Sequence, residues 1–352
     1  MARVAVPSPA LSVLDLSPVP SGTSSAQALR NTIELAQAAE RWGYRRYWLA
    51  EHHNTPGLAS SAPEVMIGQV AAATARIRVG SGGIMLPNHS SLHVAETFRV
   101  LEALFPGRID LGIGRAPGTD GVTAAALRRS ADAFGAEDFP SQLAELLAYA
   151  GDGFPDDHPF ATVSAAPADV PLPPIWILGS SEYGAQVAAM MGCGFAFARH
   201  LNPRGAEAIM ALYRETFRPS PAMERPTAIL AVSAIAAETP GRAEELASSM
   251  GLGLIRMRQG RPIKLPTPEE AAAHRYTPGE LDQIRRYRRA QVLGDAEGVR
   301  DELLALAERT GADEVMVMTS VHDHGERLRS YERIAGALAR AARPAGAGTA
   351  AA

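Results

Sequence analysis

Two successive histidines, His52 and His53, follow a short apolar run that has the composition of a β-strand. The imidazole of histidine changes its protonation near neutral pH, so a histidine at a strand end is a candidate proton donor or acceptor. Neighbouring residues of a strand point to opposite faces, so at most one of the two rings can face a site directly. The alternative is that both rings are hydrogen-bonded fixtures of the fold.

A zinc site is the second chemistry that the histidines allow. His89 and His93 are four residues apart and share one face if this stretch is helical. A helical HExxH motif is absent, however, and the remaining ligands would have to come from separate loops. We therefore expect no metal.

Two glycines, Gly82 and Gly83, interrupt an otherwise regular apolar strand at residues 77–86. Glycine weakens a strand, so the pair predicts a bulge, an unusual peptide or a flat ligand lying on the backbone. Tight packing against a helix would leave the same pattern. The sequence alone does not separate these interpretations.

A candidate anion site combines Arg115, at the end of the strand at 109–113, with Gly179, Ser180 and Ser181. A guanidinium can bind a phosphate through two hydrogen bonds, and free N–H groups at a helix start attract anions. The serines would look the same if they only capped a helix. The nearby glycines lack the full G-x-G-x-x-G spacing, so the dinucleotide signal is weak.

These residues all follow predicted strands, and helix-length segments separate the strands. The pattern predicts an α/β fold, a TIM (β/α)8 barrel, which collects chemistry at the downstream strand ends. The eight strands are expected at residues 11–16, 47–50, 77–86, 109–113, 174–179, 194–198, 227–235 and 313–319. A helix is predicted near 281–293.

One domain over residues 1–342 accounts for the pattern, with an insertion at 117–174 after the fourth strand. The polar, proline-rich stretch at 258–279, after the seventh strand, is expected to be a mobile lid. Residues 343–352 are expected to be a disordered tail, because they offer too little apolar surface to bury.

Composition excludes several classes of function. The 352 residues are 46% apolar and 20% charged with a formal charge of -4, so nothing favours binding to nucleic acid or an anionic membrane. The single cysteine, Cys193, excludes an internal disulfide. Neither a signal peptide nor an apolar run approaching ~18–20 residues is present, so we expect a cytoplasmic protein.

The ordered motifs of this chain resemble the bacterial luciferase-like monooxygenases, a flavin-dependent superfamily with a TIM-barrel fold. The resemblance covers about residues 8–340 and identifies the superfamily, although not a substrate. The motifs that carry it are LSVLDLSPV at 11–19, YWLAEHHN at 47–54, VGSGGIMLPNH at 79–89 and GRIDLGIGRAPGTD at 107–120.

The resemblance implies roles for individual residues. It makes His52 the acid–base group beside the flavin ring, and it places a non-prolyl cis peptide at Gly82–Gly83 under that ring. The other residues that it assigns to the cofactor are Ala50, Glu51, Arg115, Gly179, Ser180, Ser181 and Tyr183. Gly114 and Gly179 depart from the luciferase α subunit, which has a reactive cysteine and a glutamate there, so light emission does not follow.

The activity that the resemblance implies is oxygenation of a small organic substrate by reduced FMN and O2, through a flavin 4a-hydroperoxide. A separate flavin reductase would supply the reduced FMN. The alternatives are a deazaflavin-dependent oxidoreductase of the same fold and a non-enzymatic flavin-binding protein. The resemblance also implies a homodimer joined through the helices near 63–74 and 92–104, whose apolar residues occupy more than one face.

Overall fold

A closed barrel of parallel strands forms the centre of the computed structural model, which describes residues 9–128, 139–151 and 153–342. The barrel has no free edge, because the last strand pairs with both the first and the eighth. The described strands are β1 (Ala10–Asp15), β2 (Arg46–Leu49), β3 (Arg78–Ser81), β4 (Ile84–Met85), β5 (Ile109–Gly114), β6 (Ile175–Gly179), β7 (Gly194–Ala198), β8 (Ala228–Ala237), β9 (Gln291–Asp295) and β10 (Glu314–Met318).

Eight of these strands, all except β4 and β9, make the barrel, so the predicted TIM-barrel fold is confirmed. The predicted strand at 77–86 is divided: β3 ends before the Gly82–Gly83 pair, and β4 begins after it. The prediction of a helix over 281–293 was wrong at its end. Residues 291–295 form β9, which pairs with the end of β8 that projects beyond the barrel.

Helices surround the barrel and connect its strands. They are α1 (Ser25–Arg41), α2 (Pro63–Ala73), α3 (Ser91–Leu104), α4 (Gly121–Arg128), α5 (Phe139–Ala150), α6 (Glu182–Met190), α7 (Ala206–Thr216), α8 (Pro240–Arg258), α9 (Pro268–Ala273), α10 (Pro278–Arg288), α11 (Ala296–Thr310) and α12 (His324–Ala342). Local capping fixes several starts: the side chains of Ser24, Thr239 and Asp295 accept hydrogen bonds from the first turns of α1, α8 and α11.

Strand alternation separates two apolar layers. In β8, Leu230, Val232 and Ala234 face the helices, and the alternate residues Ile229 and Ala231 face the barrel interior. Trp48 and Trp176, 5.6 Å apart between ring centroids, fill that interior together with small or flexible side chains. The interior is therefore a packed core, and the open end lies at the downstream strand ends.

Two segments between barrel strands contain long stretches of irregular structure. The insertion between β5 and β6 carries α4 and α5, although its residues 129–138 and 152 lie outside the described part of the chain, as does the predicted tail at 343–352. The predicted lid follows α8 and contains the short helix α9. Leu265 in it is buried and exchanges main-chain hydrogen bonds with Val19 (2.9 Å) and Ser21 (2.8 Å) in the β1–α1 loop. The lid thus has more burial than its composition predicted, and its mobility stays a prediction.

Within the residues that the structure describes, none of the helices combines the length and the apolar composition needed to cross a lipid bilayer.

Candidate active site

Glu51, just beyond the end of β2, is the centre of a buried hydrogen-bond cluster. His53 Nε2 lies 2.9 Å from one carboxylate oxygen, and His89 Nε2 lies 3.0 Å from both. The main-chain N–H of Met85 donates to the carboxylate at 2.8 Å, and the Asn88 amide donates at 3.2 Å. The carboxylate is fully buried among these groups, so its hydrogen bonds hold the strand-end loops together, and the cofactor role predicted for Glu51 stays a prediction.

The electrostatics of this cluster favour an ionised carboxylate. Burial alone would raise the pKa of Glu51, but the hydrogen bonds and charge of His89, the bond from His53 and the Met85 N–H lower it to about 2. Burial likewise opposes the protonated form of His89, yet the bond to Glu51 and its charge raise the pKa of His89. His89, considered as a zinc ligand from the sequence, is engaged by Glu51 here. Within the described ranges no group of three His, Cys, Asp or Glu side chains is arranged to hold a metal.

His52 lies apart from the Glu51 cluster. Its main-chain N–H donates to the Ser60 carbonyl at 2.8 Å, which holds the loop in place. Its ring Nδ1 is buried and has no hydrogen-bond partner among the described residues. Burial lowers the pKa of His52, and the neighbouring His53 adds to this while Glu51 opposes it. His52 is therefore neutral at pH 7 and can accept a proton.

A second imidazole, His200, shares the mouth with His52. It follows β7, and both its main-chain N–H (3.3 Å) and its ring Nδ1 (3.4 Å) approach the Ala231 carbonyl. A carbonyl only accepts, so Nδ1 carries the proton and Nε2 is left as an acceptor. Burial lowers the pKa of His200 to about 4, and the proximity of His52 contributes to this lowering.

The predicted cis peptide at Gly82–Gly83 is present. A β-carbon on Gly82 would lie 2.6 Å from Leu14 Cδ1, and one on Gly83 would lie 2.8 Å from the Gly112 carbonyl oxygen. Larger residues would collide with the barrel at both positions, so the backbone here is enclosed on its barrel side. Ala50, buried beside Trp48, lines the same interior.

The residues predicted for an anion site lie at the ends of β5 and β6. The guanidinium carbon of Arg115 lies 4.4 Å from the centre of the Tyr183 ring, in a cation–π contact. Ser181 is the N-cap residue of α6, but its side chain makes no capping hydrogen bond. Arg115 is exposed and forms no ion pair with any described residue. The arrangement leaves a cation, a hydroxyl and the start of a helix free beside one another.

The remaining predicted residues, Ser180 and Gly179, hold together the loops and the helix around Arg115 and Ser181. The Ser180 carbonyl accepts a hydrogen bond from the Asn202 amide at 2.9 Å, which ties the loops after β6 and β7 together. A β-carbon on Gly179 would lie 3.3 Å from Gly184 Cα, so glycine allows α6 to approach its strand closely. Gly179 thus acts through packing.

A cavity of about 480 Å³ lies on the flank of the barrel between α3 and α5. Its lining includes Ser91, Gln142, Tyr149 and Phe160. None of the predicted site residues lines it. The strand-end groups described above therefore define a site separate from this cavity.

The family model of luciferase-like monooxygenases matches residues 10–314 of the chain. That range contains every residue of the strand-end site described above. The chain belongs to the luciferase-like monooxygenase family.

Several relatives share nearly the full length of this family member. YceB of Bacillus subtilis (strain 168) is 45% identical over 325 residues, which are 92% of this chain and 98% of that protein. A luciferase-like monooxygenase of Escherichia coli (strain K12) is 43% identical over 325 residues, covering 92% of this chain and 95% of its own length. N-acetyl-S-alkylcysteine monooxygenase of Bacillus subtilis (strain 168) is 36% identical over 340 residues, covering 95% and 99%.

Solved structures extend the likeness to the fold. Apo-MsnO8 is 38% identical with a TM-score of 0.85, covering 94% of this chain and 98% of that one. The oxygenating constituent of 3,6-diketocamphane monooxygenase of Pseudomonas putida, in complex with FMN, is 18% identical with a TM-score of 0.67, covering 95% and 98%. An F420-dependent secondary alcohol dehydrogenase with an F420–acetone adduct is 16% identical with a TM-score of 0.63, covering 94% and 99%. The last two share the fold.

Sequence reasoning missed part of this family member's site. His200 stands two residues beyond a buried strand, which is the same signal that identified His52, and it was not singled out. Asn202 follows in the same loop. The strand β9 was missed for a different reason, because residues 291–293 were assigned to a helix and the pairing of β9 with β8 is a long-range contact.

Proposed function

We propose that this chain is a flavin-dependent monooxygenase that uses reduced FMN and O2 to oxygenate a small organic substrate. The observation that carries the proposal is the unpartnered His52 Nδ1, buried at the same barrel mouth that holds the free Arg115 guanidinium. This supports a base for proton transfer and a cation for an anionic cofactor at the downstream strand ends of one barrel.

The groups around Arg115, namely its guanidinium, the Ser181 hydroxyl and the start of α6, fit the phosphate of FMN. The guanidinium supplies two hydrogen-bond donors, and the Tyr183 ring keeps it in place. Ser181 adds a hydroxyl, and the first N–H groups of α6 point out of the helix start, where its dipole favours negative charge. These residues would hold the phosphate, with Ser180 beside them.

The enclosed backbone at Gly82 and Gly83 fits the flat isoalloxazine ring. Around the barrel the strand order is β5, β3, β2. Arg115 follows β5, the glycine pair follows β3 and His52 follows β2, so the pair lies between Arg115 and His52. When bound, reduced FMN would supply the electrons for the reaction with O2. His52, whose pKa is lowered by burial, would accept and return a proton on its imidazole ring.

Water must be kept away from such a site, and contacts of the segment after α8 with the β1–α1 loop support a role for it in this. Leu265 fixes the segment to the β1–α1 loop at the mouth, and Lys264 Nζ donates to the Thr23 carbonyl at 2.7 Å. Closing an active site strengthens the electrostatic interactions inside it. The stretch at 258–279 would act as the lid.

The supply of electrons is proposed from the relatives. The Pseudomonas putida protein is described as an oxygenating constituent, which implies a further component for that system. A separate flavin reductase is the corresponding partner here. The N-acetyl-S-alkylcysteine relative supports a small organic molecule as the substrate class.

A homodimer is proposed through α2 and α3. Val65 of α2 is 61% exposed, and Leu104 of α3 is 65% exposed, with Val100 beside it on the same helix. Exposed apolar residues on two neighbouring helices indicate a surface that a second copy covers.

The test compares the affinities of the protein for FMN, riboflavin and the deazaflavin F420. Binding of each cofactor is monitored by its fluorescence. FMN should bind more tightly than riboflavin, because only FMN carries a phosphate for Arg115. Arg115→Ala should weaken FMN binding by roughly 10–100-fold, the range for losing a charge-assisted hydrogen bond, and leave riboflavin unchanged. Arg30→Ala, on the outer helix α1, is the control and should leave FMN binding unchanged.

A second measurement separates an enzyme from a carrier. Protein with reduced FMN is mixed with air, and the return of oxidised-flavin absorbance is recorded. A return much slower than that of free FMN is expected for the monooxygenase. A return as fast as that of free FMN indicates a flavin-binding protein, and preferential binding of F420 indicates the deazaflavin enzyme; either result contradicts the proposal.

A further inference from the structure

A basic surface is formed by the residues from the last turn of α8 to the end of α10. Residues 256–289 contain nine Lys and Arg side chains against four Asp and Glu, which is a formal charge of +5 in a chain whose total is -4. The positive charge is therefore concentrated in one segment, and the rest of the chain is acidic. The basic surface comprises Arg256, Arg258, Arg261, Lys264, Arg275, Arg285, Arg286, Arg288 and Arg289.

The two helices that carry most of this charge pack against each other. Arg258 Nη1 at the end of α8 donates to Gln283 Oε1 of α10 at 3.1 Å. A β-carbon on Gly251 of α8 would lie 3.6 Å from the Ile284 side chain of α10. The arginines of α8 and α10 therefore belong to one continuous surface, although they are up to about 30 residues apart in the sequence.

Four arginines of the basic surface are exposed and form no ion pair with any residue in the ranges 9–128, 139–151 and 153–342. They are Arg261, Arg275, Arg286 and Arg289. Two others are paired, Arg285 with Asp282 and Arg288 with Glu244. A cation without an anionic neighbour keeps its field, which extends over roughly 8 Å at physiological salt. The surface therefore attracts anions from the surrounding solvent.

The basic surface borders the barrel mouth. The Ile263 carbonyl oxygen lies against the loop after β2, since a β-carbon on Gly57 would be 2.7 Å from it. That loop also contains His52. Leu265 bonds to the loop after β1, and Arg261 is only two residues before Ile263. At its other end the basic surface leads into β9, which pairs with the downstream end of β8.

We propose that the basic surface attracts the phosphate of FMN from solution and so raises the rate at which FMN enters the mouth. A phosphate monoester carries about -1.5 to -2 charges at pH 7, and the oxidised ring of FMN is uncharged, so charge complementarity selects the phosphorylated flavin. The inference rests on the proposed function and adds a role that Arg115 does not have. Arg115 would hold the bound phosphate and limit dissociation, whereas the basic surface acts before contact and sets the association rate.

The experiment compares oxidised FMN with riboflavin, which has the same ring and no phosphate. Stopped-flow fluorescence gives the association and dissociation rate constants of each flavin. Raising the ionic strength from about 0.01 to 0.3 M shortens the range of the field from roughly 30 Å to below 10 Å. The association rate constant of FMN should fall at least about tenfold over this range, and that of riboflavin should change less than about twofold.

Two triple variants remove the same net charge from opposite ends of the barrel. The test variant carries Arg261→Gln, Arg286→Gln and Arg289→Gln. The matched control carries Arg41→Gln in the last turn of α1, Arg76→Gln just before β3 and Arg225→Gln just before β8. All six side chains are exposed, so neither variant should disturb the fold. At low salt the test variant should bind FMN about five to tenfold more slowly with an unchanged dissociation rate, and the control should match the wild type within about twofold.

Three results would overturn the inference: an FMN association rate that does not depend on salt, a riboflavin rate that falls as much as that of FMN, or equal slowing in the two variants. The first would leave an acidic face of a second protein as the partner that fits the basic surface. A wild type that binds no FMN at any ionic strength refutes the proposed function, and the inference with it. The two failures are distinguishable, because the inference alone fails only when FMN still binds.

Discussion

Replacing Glu51 with glutamine should destabilise the protein strongly, although the change is nearly isosteric. The carboxylate accepts hydrogen bonds from His53, His89, Asn88 and the Met85 N–H, and it is fully buried. A glutamine amide offers one acceptor and adds two N–H groups that face other donors. The variant therefore loses the charge and leaves buried donors without partners.

The magnitude follows from the pKa of Glu51. A lowering from 4.5 to about 2 in the folded state, at 1.36 kcal/mol per pKa unit, corresponds to about 3 kcal/mol of stabilisation. Because the folded-state pKa is the lower one, this contribution is present above pH 4.5 and is lost as the pH falls towards about 2. The raised pKa of His89 has the opposite sign, so its contribution is complete below pH 6.5 and is lost as the pH rises through the folded value.

Urea unfolding of wild type and Glu51→Gln from pH 2 to 9 is the assay. The difference in free energy of unfolding should be largest between about pH 4.5 and 6.5, at about 3 kcal/mol, and should narrow on both sides. Glu207→Gln is the control, because its ion pair with Arg309 is exposed and long at 3.6 Å. That change should alter stability by less than about 1 kcal/mol.

A difference below about 1 kcal/mol at pH 5.5, or one that does not narrow towards pH 2, would refute this reasoning. NMR titration adds an independent check. The pKa of His89 should lie above 6.5 in the wild type and fall in Glu51→Gln. An unchanged His89 titration would show that the two groups are not coupled.

Three further predictions concern catalysis, the lid and assembly. His52→Ala should lower turnover by about 10²–10⁴ while thermal stability and FMN affinity change little, and added imidazole should restore part of the rate; loss of His53, which bonds to Glu51, should instead lower stability. Proteolysis within 258–279 should slow when FMN is bound, and equal cleavage rates would contradict the lid. Sedimentation at micromolar concentration should show a dimer joined through α2 and α3, and a 37.2 kDa species alone would contradict it.

The barrel was predictable because each of its strands corresponds to a short apolar run in the sequence. Residues 194–198 were placed without error, and most other strand ends shifted by one or two residues. The strand β9 was missed because Arg289 and Ala290 lie between it and α10 with no glycine or proline to mark the change. Its pairing with β8 is a contact between distant parts of the chain, which a local pattern does not contain.

The site was predictable where chemistry follows a strand directly. His52 and Arg115 were predicted in this way, and the cis peptide at Gly82–Gly83 followed from the glycines and the family resemblance together. The role of Glu51 was not predicted, because its burial depends on His89 and Met85, more than 30 residues away. Which atoms remain without partners, such as the buried His52 Nδ1, is also a property of the folded structure that the sequence does not contain.

The most direct test of the central claim is a crystal structure of the protein with FMN. We expect the phosphate within hydrogen-bond distance of Arg115 and the start of α6, and the isoalloxazine ring over Gly82–Gly83 and beside His52. FMN bound in the flank cavity between α3 and α5, or a phosphate remote from Arg115, would contradict the account.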